Sequence, residues 1–286
     1  MSELARRRSW NKIACFYALT LLFSAPFYAL ILGTGQLRGS EMFYVTALMW
    51  SPALAALATQ RLFGDDLAAL GWRFGALRWQ LWAWFLPVGY ALPVYVLVWF
   101  GGLGHFQFAE FTAQKAEAFG WQALSPALVF VGYVLLAGTA GLVLSLSRAL
   151  GEEIGWRGLL VPELAKLTGT HGVAIGSGLM WAAWHYPVLI FGDYNAGTPI
   201  GYALACFTLM AIGVSYLMAW LRLASGTLWT AAVLHAAHNR FIQGVFTPLT
   251  GDSGPTPYLI DEFGIGLAVS TLLTALLVLR YIRRPQ

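Results

Sequence analysis

Three clusters of polar residues interrupt the apolar sequence between residues 150 and 240, and the first of them contains two adjacent carboxylates. Within it, Glu153 and Arg157 are four residues apart, which on a helix predicts an ion pair. Glu152 is turned by about 100° from Glu153 around a helix and is therefore available for another role. Taken alone, the same pattern is also typical of a solvated helix end, where charge pairs contribute little to stability.

The second and third clusters supply imidazole and amide groups. Trp181 and His185 share one face of a predicted helix, and so do His235 and Asn239, because each pair is four residues apart. His238 lies one step around the third helix and flanks that face. Ionisable side chains are costly within a membrane helix, so each requires a reason. The alternative reason is packing, with a hydrogen-bonded core histidine in the second cluster and interhelical hydrogen bonds in the third.

If the three clusters share one pocket, its carboxylate, imidazoles and amide suit the hydrolysis of an amide bond. Glu152 would accept a proton from water, and a neighbouring imidazole would orient that water or share the proton. A histidine and an asparagine on one helix face would donate hydrogen bonds to the oxyanion of the tetrahedral intermediate. The three clusters contain no Ser or Cys, which argues against an acyl-enzyme route.

A metal-dependent hydrolase is the alternative mechanism. Glu152, His185 and His235 would supply a set of two histidines and one carboxylate to zinc. The HExxH spacing of many zinc peptidases is absent, however, and the three ligands would come from separate helices. Activation of water by the carboxylate itself is therefore favoured, and no metal or other cofactor is expected.

The elements that position these residues are membrane helices, because the 286-residue chain is 58% hydrophobic and only 10% charged. A soluble domain has about 25% charged residues, so the composition excludes an ordinary cytosolic protein, a disordered chain and a nucleic-acid binder. Since about 20 apolar residues span a bilayer, we predict an all-α bundle of about eight transmembrane helices, forming one integral membrane domain over residues 1–286. The predicted spans are 13–33, 42–61, 79–101, 126–147, 172–191, 200–221, 226–245 and 260–281.

The distribution of basic residues predicts the orientation of the chain. Lys and Arg number 14 on one side of the predicted membrane, and only Arg38, Lys115 and Arg240 fall on the other. The positive-inside rule therefore places both termini in the cytoplasm, and we expect a plasma membrane of bacterial type. For Glu152 to reach His185, the fourth helix must continue past residue 147, so we expect a long, tilted helix with the site open to the cytoplasmic half. Acidic residues on the other side are interpreted as ordinary loop charges: Asp193, Asp252, Asp261 and Glu262.

The order of the three motifs on successive predicted helices resembles the CPBP family, also called Abi, of type II CAAX prenyl proteases and bacteriocin-processing or immunity enzymes. The motifs are Glu152-Glu153-xxx-Arg157, then Trp181 four residues before a histidine, then His235-xxx-Asn239. The resemblance extends over residues 125–245, which would form the catalytic core. The sequence departs from the family at Trp181, where phenylalanine is usual, and this change is expected to affect only the width of the pocket.

The resemblance implies a role for each matched residue. Glu152 would activate water with the assistance of His185, and His235 and Asn239 would stabilise the oxyanion. Supporting roles fall to Glu153, Arg157, Trp181 and His238. The implied partners are membrane lipids and a protein or peptide substrate, with prenylated proteins among the candidates, whereas the oligomeric state is not predicted.

The sequence therefore predicts an intramembrane endopeptidase that uses a glutamate-activated water, in CAAX-type processing of lipidated proteins or in related peptide maturation. The alternative from another class is a non-catalytic membrane protein. Such a protein would be a bacteriocin immunity or scaffold factor, or a small-solute transporter, and its polar residues would join helices or form a substrate relay.

Overall fold

A computed structural model describes residues 1–34, 42–194 and 197–282 of the chain. These residues fold into an all-α bundle, as the sequence predicts. Two segments with wider π-helical turns, Ile154–Leu160 and Asn239–Phe246, directly follow α6 and α10. The helices are α1 (Glu3–Thr34), α2 (Met42–Leu62), α3 (Leu77–Phe100), α4 (Phe108–Phe119), α5 (Pro126–Gly138), α6 (Ala140–Glu153), α7 (Val161–Leu167), α8 (Thr170–Phe191), α9 (Ile200–Ser225), α10 (Trp229–His238) and α11 (Ile265–Ile282), with short 3-10 turns at Leu67–Leu70 and Thr256–Tyr258.

Five segments of the described chain are long and apolar enough to cross a membrane. One of them contains 42 residues and includes α5, α6 and α7, so the fourth predicted helix does continue past residue 147. The predicted stretches 42–61, 226–245 and 260–281 are helical over most of their length but are not among the five, so the count of eight spans is still a prediction. The five segments are Glu3–Gly33, Leu77–Phe100, Pro126–Leu167, Thr170–Phe191 and Ile200–Ser225.

Local sequence signals account for several helix boundaries. Ser125 caps α5 by accepting a hydrogen bond from the Leu128 N–H, and Pro126 occupies the first turn, where its missing N–H is not needed. Thr139 separates α5 from α6 with a non-helical backbone, φ −119° and ψ −95°. Helix α9 is followed by Gly226, whose φ of 74° is the left-handed conformation that glycine adopts most readily.

One group of connections meets at an end of the bundle that we call the basic end. There Lys12 donates hydrogen bonds to Asp65 at 2.6 Å and to Glu163 at 2.9 Å, joining α1, the connection after α2, and α7. Burial acts to raise the pKa of Asp65, but hydrogen bonds and charges from Lys12 and Arg8 outweigh it and lower that pKa. Arg8, Lys166 and Arg222 bind groups at the same end, whereas Arg283 and Arg284 lie outside the described residues, as does Arg38 on the other side of the charge count.

The second group of connections meets at the opposite end, which we call the far end. At this end, His105–Phe106 and Thr250–Gly251 form two short antiparallel strands. They are the one strand pairing in the described ranges. The Thr256 hydroxyl also donates to the Leu103 carbonyl at 2.6 Å. Among the described residues, connections that the sequence assigns to opposite sides therefore fall into separate groups.

Candidate active site

A cavity of about 610 Å³ lies within the bundle, with walls from α2, α6, α8, α9 and α10. Residues from all three polar clusters line it, namely Glu152, His185, His235, His238 and Asn239. The structure thus places an acid, three imidazoles and an amide from distant segments around one space. Glu153 and Arg157 do not line the cavity and lie behind its wall.

Two glycines allow the end of α6 to pack directly against α2. A Cβ on Gly151 would lie 2.7 Å from the Met49 carbonyl oxygen, and one on Gly155 would lie 2.7 Å from the Pro52 Cβ. A larger residue at either position would push the two helices apart. The close contact fixes the short stretch between the glycines, which carries both glutamates, and both are buried.

Glu153 faces the protein interior beneath the cavity. Its Oε1 accepts hydrogen bonds from Arg157 Nη1 and from His235 Nδ1, each at 2.9 Å. Arg157 Nη2 in turn donates to the Ser215 hydroxyl at 2.9 Å. The ion pair predicted from the spacing is therefore present, and both of its side chains are fully buried. We call Glu153, Arg157 and Ser215 the floor cluster.

Trp181 connects the floor cluster to the cavity. Its Nε1–H donates to Glu152 Oε2 at 2.7 Å, and the Arg157 guanidinium lies 4.6 Å from the centre of its ring. The rings of His185 and His235 each pack edge-on against it with centroids 5.5 Å away. Phenylalanine would preserve this packing but not the hydrogen bond. The expectation that tryptophan here affects only pocket width is therefore wrong, because the indole also orients the candidate base.

The hydrogen bonds of two histidines leave Nε2 of each ring for a ligand. His185 Nδ1 lies 2.9 Å from the Trp181 carbonyl oxygen, which can only accept, so the neutral ring carries its proton on Nδ1 and accepts at Nε2. His235 Nδ1–H donates to the Glu153 carboxylate, which stabilises a protonated ring whose Nε2–H can donate. One imidazole thus offers an acceptor and the other a donor.

His238 uses both ring nitrogens within the protein. Its Nδ1 accepts from the Tyr90 hydroxyl at 2.6 Å, and its Nε2–H donates to Glu262 at 3.0 Å. Glu262 also accepts from the Tyr194 hydroxyl at 2.7 Å and from the Gln243 amide at 3.0 Å. This network holds the far-end connection before α11 against the cavity, so His238 positions that connection.

The adjacent acids of that connection differ in their affinity for protons. Burial and the negative charge of Glu262 raise the pKa of Asp261 to about 6. Burial acts in the same direction on Glu262, but the hydrogen bond and charge of His238 outweigh it and lower that pKa. Asp261 has a φ of 62°, a left-handed conformation that Asp and Asn tolerate better than most residues.

Sequence reasoning missed the acids and one of the bases that line this cavity. Asp261 and Glu262 were expected to be ordinary loop charges, but both line the cavity, and Glu262 is buried. Arg240 was expected on the outer side, but it lies in the π-helical segment after α10 and lines the same cavity. The available signal was an Asp-Glu pair immediately before an apolar stretch, where charge is unusual.

The lining of the cavity extends to the far end of the bundle, whereas the sequence predicts an opening towards the basic end. Its lining includes Tyr194, Pro248 and Phe263 from connections at the far end. Towards the basic end, the π-helical segment after Glu153 fills the space with buried side chains such as Trp156 and Leu160. The lining therefore reaches the far end, and the expected opening towards the basic half is still a prediction.

The arrangement of the acidic and imidazole side chains bears on metal binding. Over the three described ranges, no group of three or more His, Cys, Asp or Glu side chains is arranged to hold a metal ion. Glu152, His185 and His235 thus share a cavity without forming a zinc ligand set.

The fold and cavity define a helical bundle of the kind found in integral membrane proteins, with an acid and imidazoles in its interior. A family model described as type II CAAX prenyl endopeptidase Rce1-like matches residues 135–241. This interval contains all three motifs, and the match confirms the resemblance that they indicate. None of the curated proteins matches the chain.

Proposed function

We propose that the chain is a membrane-embedded endopeptidase in which Glu152 activates a water molecule. The observation that carries the proposal is the state of this carboxylate. One oxygen is held by Trp181, and the other has no protein partner within the described part of the chain, although the side chain is buried and lines the cavity. A positioned carboxylate beside an imidazole acceptor is suited to general-base catalysis.

The proposed reaction uses groups that line the cavity. A water between Glu152 and His185 Nε2 gives a proton to Glu152 while its oxygen attacks the peptide carbonyl. His235 Nε2–H and the Asn239 amide donate to the resulting oxyanion, and each such donor in a dry site contributes about 2.7–4 kcal/mol. The proton on Glu152 then passes to the nitrogen of the leaving amine, and the C–N bond breaks.

The match to the Rce1-like family supports this reading of the site, since a CAAX prenyl endopeptidase hydrolyses a peptide bond. We propose a protein or peptide substrate reached from the membrane, in CAAX-type processing of lipidated proteins or in related peptide maturation. We also propose a bacterial-type plasma membrane with both termini in the cytoplasm, because the basic residues are concentrated at one end.

The test is peptide hydrolysis by purified protein with Glu152→Gln as the variant. The assay uses detergent-solubilised protein, so that both ends of the bundle are accessible, and a panel of lipidated and unlipidated peptides. We expect cleavage to fall by about 10²–10⁴-fold, the usual contribution of a general base, with an unchanged melting midpoint. Glu117→Gln is the matched control, since Glu117 is an exposed acid on α4 outside the cavity.

The outcomes separate the proposal from its alternatives. Undiminished cleavage by the Glu152 variant would refute the assigned role. If the parent protein cleaves no peptide, a lower melting midpoint of the Glu152 variant would indicate the non-catalytic scaffold. Loss of solute uptake by that variant would indicate the transporter. Loss of parent activity on exhaustive chelation, with recovery on adding zinc, would favour the metal mechanism, for which Glu152, His185 and His235 are the candidate ligands.

A further inference from the structure

Two arginines line the cavity without an acidic partner. Arg148 precedes Glu152 by one turn of α6, and Arg240 directly follows Asn239. Neither forms an ion pair or a side-chain hydrogen bond with any residue that the structure describes. By contrast, Arg157 binds the Glu153 carboxylate.

Arg240 is held in a niche between two parts of one wall. Its Nε is buried and has no partner among the described side and main chains. A Cβ on Gly141 would lie 2.8 Å from Arg240 Nη2, so this glycine, just after the break between α5 and α6, makes room for the guanidinium. An unpaired guanidinium at membrane depth is unfavourable, and an anion in the cavity would supply the missing acceptor.

The acids in the cavity do not fill that role. Glu262 already accepts hydrogen bonds from His238, Tyr194 and Gln243. Asp261 accepts a hydrogen bond from the backbone N–H of Glu262 at 2.8 Å. The two arginines are therefore the groups of the lining with unused capacity for a negative charge.

We propose that Arg148 and Arg240 form an anion-binding subsite for a carboxylate or phosphate group beside the candidate catalytic residues. Guanidinium groups match the geometry of both oxyanions. In the proposed peptidase, on which this inference rests for its substrate, the anion is the C-terminal carboxylate of the peptide. Arg148 lies about 6 Å from Glu152 along the helix, and an extended peptide advances about 3.3 Å per residue, so the bound carboxylate lies within a few residues of the cleaved bond.

A phospholipid headgroup is the other source of the same chemistry. Leu144 lines the cavity and is 71% exposed on the outside of the bundle, one turn from Arg148. Val45 and Met49 of α2 face it from the same lining. The cavity therefore reaches the lipid-facing surface between α2 and α6, where a headgroup phosphate has access to the arginines.

The test measures binding without hydrolysis, in the full-length Glu152→Gln protein. The probe is an apolar pentapeptide with an uncharged coumarin label at its N-terminus, prepared with a free C-terminal carboxylate or with a C-terminal amide, in phosphate-free detergent. We expect the carboxylate peptide to bind about ten-fold more tightly, a preference typical of a charge-assisted pair. Adding Arg148→Gln or Arg240→Gln should remove most of that preference, whereas Arg61→Gln, an exposed arginine at the end of α2, should leave it unchanged.

A lipid arm distinguishes the two sources. If phosphatidylglycerol displaces the probe, diacylglycerol does not, and the effect depends on either arginine, the subsite binds phosphate. If neither the carboxylate nor the phosphate is preferred by the Glu152→Gln parent itself, the subsite is refuted, whatever the stability of the arginine variants.

The inference and the proposed function fail differently. Arginine-dependent binding without hydrolysis by the wild-type protein would refute the peptidase and keep the subsite. Efficient hydrolysis of acid and amide peptides alike, with no displacement of the probe by phosphatidylglycerol, would keep the peptidase and refute the subsite.

Discussion

Glu152 and Glu153 are neighbours in the chain but belong to two different regions of the molecule. Glu153 belongs to the floor cluster, where an arginine and an imidazole both contact its Oε1. Glu152 belongs to the cavity wall, where its side chain accepts one hydrogen bond from the described residues. The donor is the neutral indole N–H of Trp181. The backbone turn between them thus separates a compensated charge from one left available.

The difference shows how a buried charge can be classified. A buried ion pair that is already complete holds elements together, and removing one partner leaves the other uncompensated. A charge with a hydrogen-bonding atom that no protein group uses, facing a space large enough for a ligand, is a candidate for chemistry. The floor cluster follows the first pattern, because its two charges pair with each other and neither lines the cavity, although Glu153 Oε2 and Arg157 Nε have no hydrogen-bond partner among the described residues. Glu152, Arg148 and Arg240 line the cavity and follow the second.

The largest effect on stability is expected in the floor cluster. Glu153→Gln keeps the shape of the side chain but leaves the Arg157 guanidinium buried without a counter-charge, so we expect a loss of about 3–5 kcal/mol of folding free energy. The measurement is the thermal midpoint in detergent.

Two further variants make that result specific to the pair. The double variant Glu153→Gln with Arg157→Met should recover part of the loss, because it also removes the uncompensated cation. Glu152→Gln should change the midpoint little. If Glu152→Gln lowered the midpoint strongly and Glu153→Gln did not, the assignment of Glu153 to the floor cluster and of Glu152 to the cavity wall would have to be exchanged.

A smaller effect is expected where the two regions meet. Trp181→Phe keeps an aromatic ring between the two imidazoles but removes the donor to Glu152, and a hydrogen bond to a charged group contributes about 1.5–3 kcal/mol. We expect peptide cleavage to fall by about 10–100-fold, mainly in kcat, with a small change in melting. Trp220→Phe is a matched control, since its ring packs against Trp79 away from the cavity. Equal cleavage by wild type and Trp181→Phe would show that the indole only fills space.

The smallest effect depends on pH and concerns the far-end connection. The pKa of Asp261 is raised from 3.8 to about 6, so its ionised form opposes folding above pH 6 and its protonated form does not below pH 4. Asp261→Asn should therefore be more stable than wild type by about 1–2 kcal/mol at pH 8, and this advantage should shrink as the pH falls from about 6 towards 4.

Melting midpoints between pH 4.5 and 8 measure this difference. Asn tolerates the left-handed backbone of this position, so the variant tests charge and not strain. Asp252→Asn, an exposed change at the same end of the bundle, should show no such pH dependence. A wild type that is the more stable protein at pH 8 would mean that the ionised carboxyl has a stabilising partner.

Much of the arrangement follows from the sequence because membrane helices restrict where charge can lie. The helical class followed from apolar length, and the extension of the fourth helix followed from the need for Glu152 to reach His185. The contact of Glu153 with Arg157 followed from helical spacing. The sharing of one cavity by three distant clusters follows from the cost of leaving such groups in lipid. The roles assigned to these residues are proposals that the experiments above test.

Other features depend on contacts that spacing does not encode. The hydrogen bond of Trp181 depends on the orientation of an indole, and the burial of Glu262 depends on a connection that folds back over the bundle. The direction of the cavity depends on which side chains fill the π-helical segment and on the close packing of Gly151 and Gly155 against α2. None of these has a periodic signature in the chain.

The two π-helical segments each begin within a motif, Ile154 following Glu153 and Asn239 following His238. A π turn holds more residues than an α turn and is often found beside functional residues. Deleting one residue from Ile154–Leu160 would restore α-helical spacing and rotate the chain beyond it by about 100°, which would carry Glu163 away from Lys12 and leave Glu152 in place. Insertions and deletions in the two π-helical segments are therefore constrained by helix register rather than by loop length.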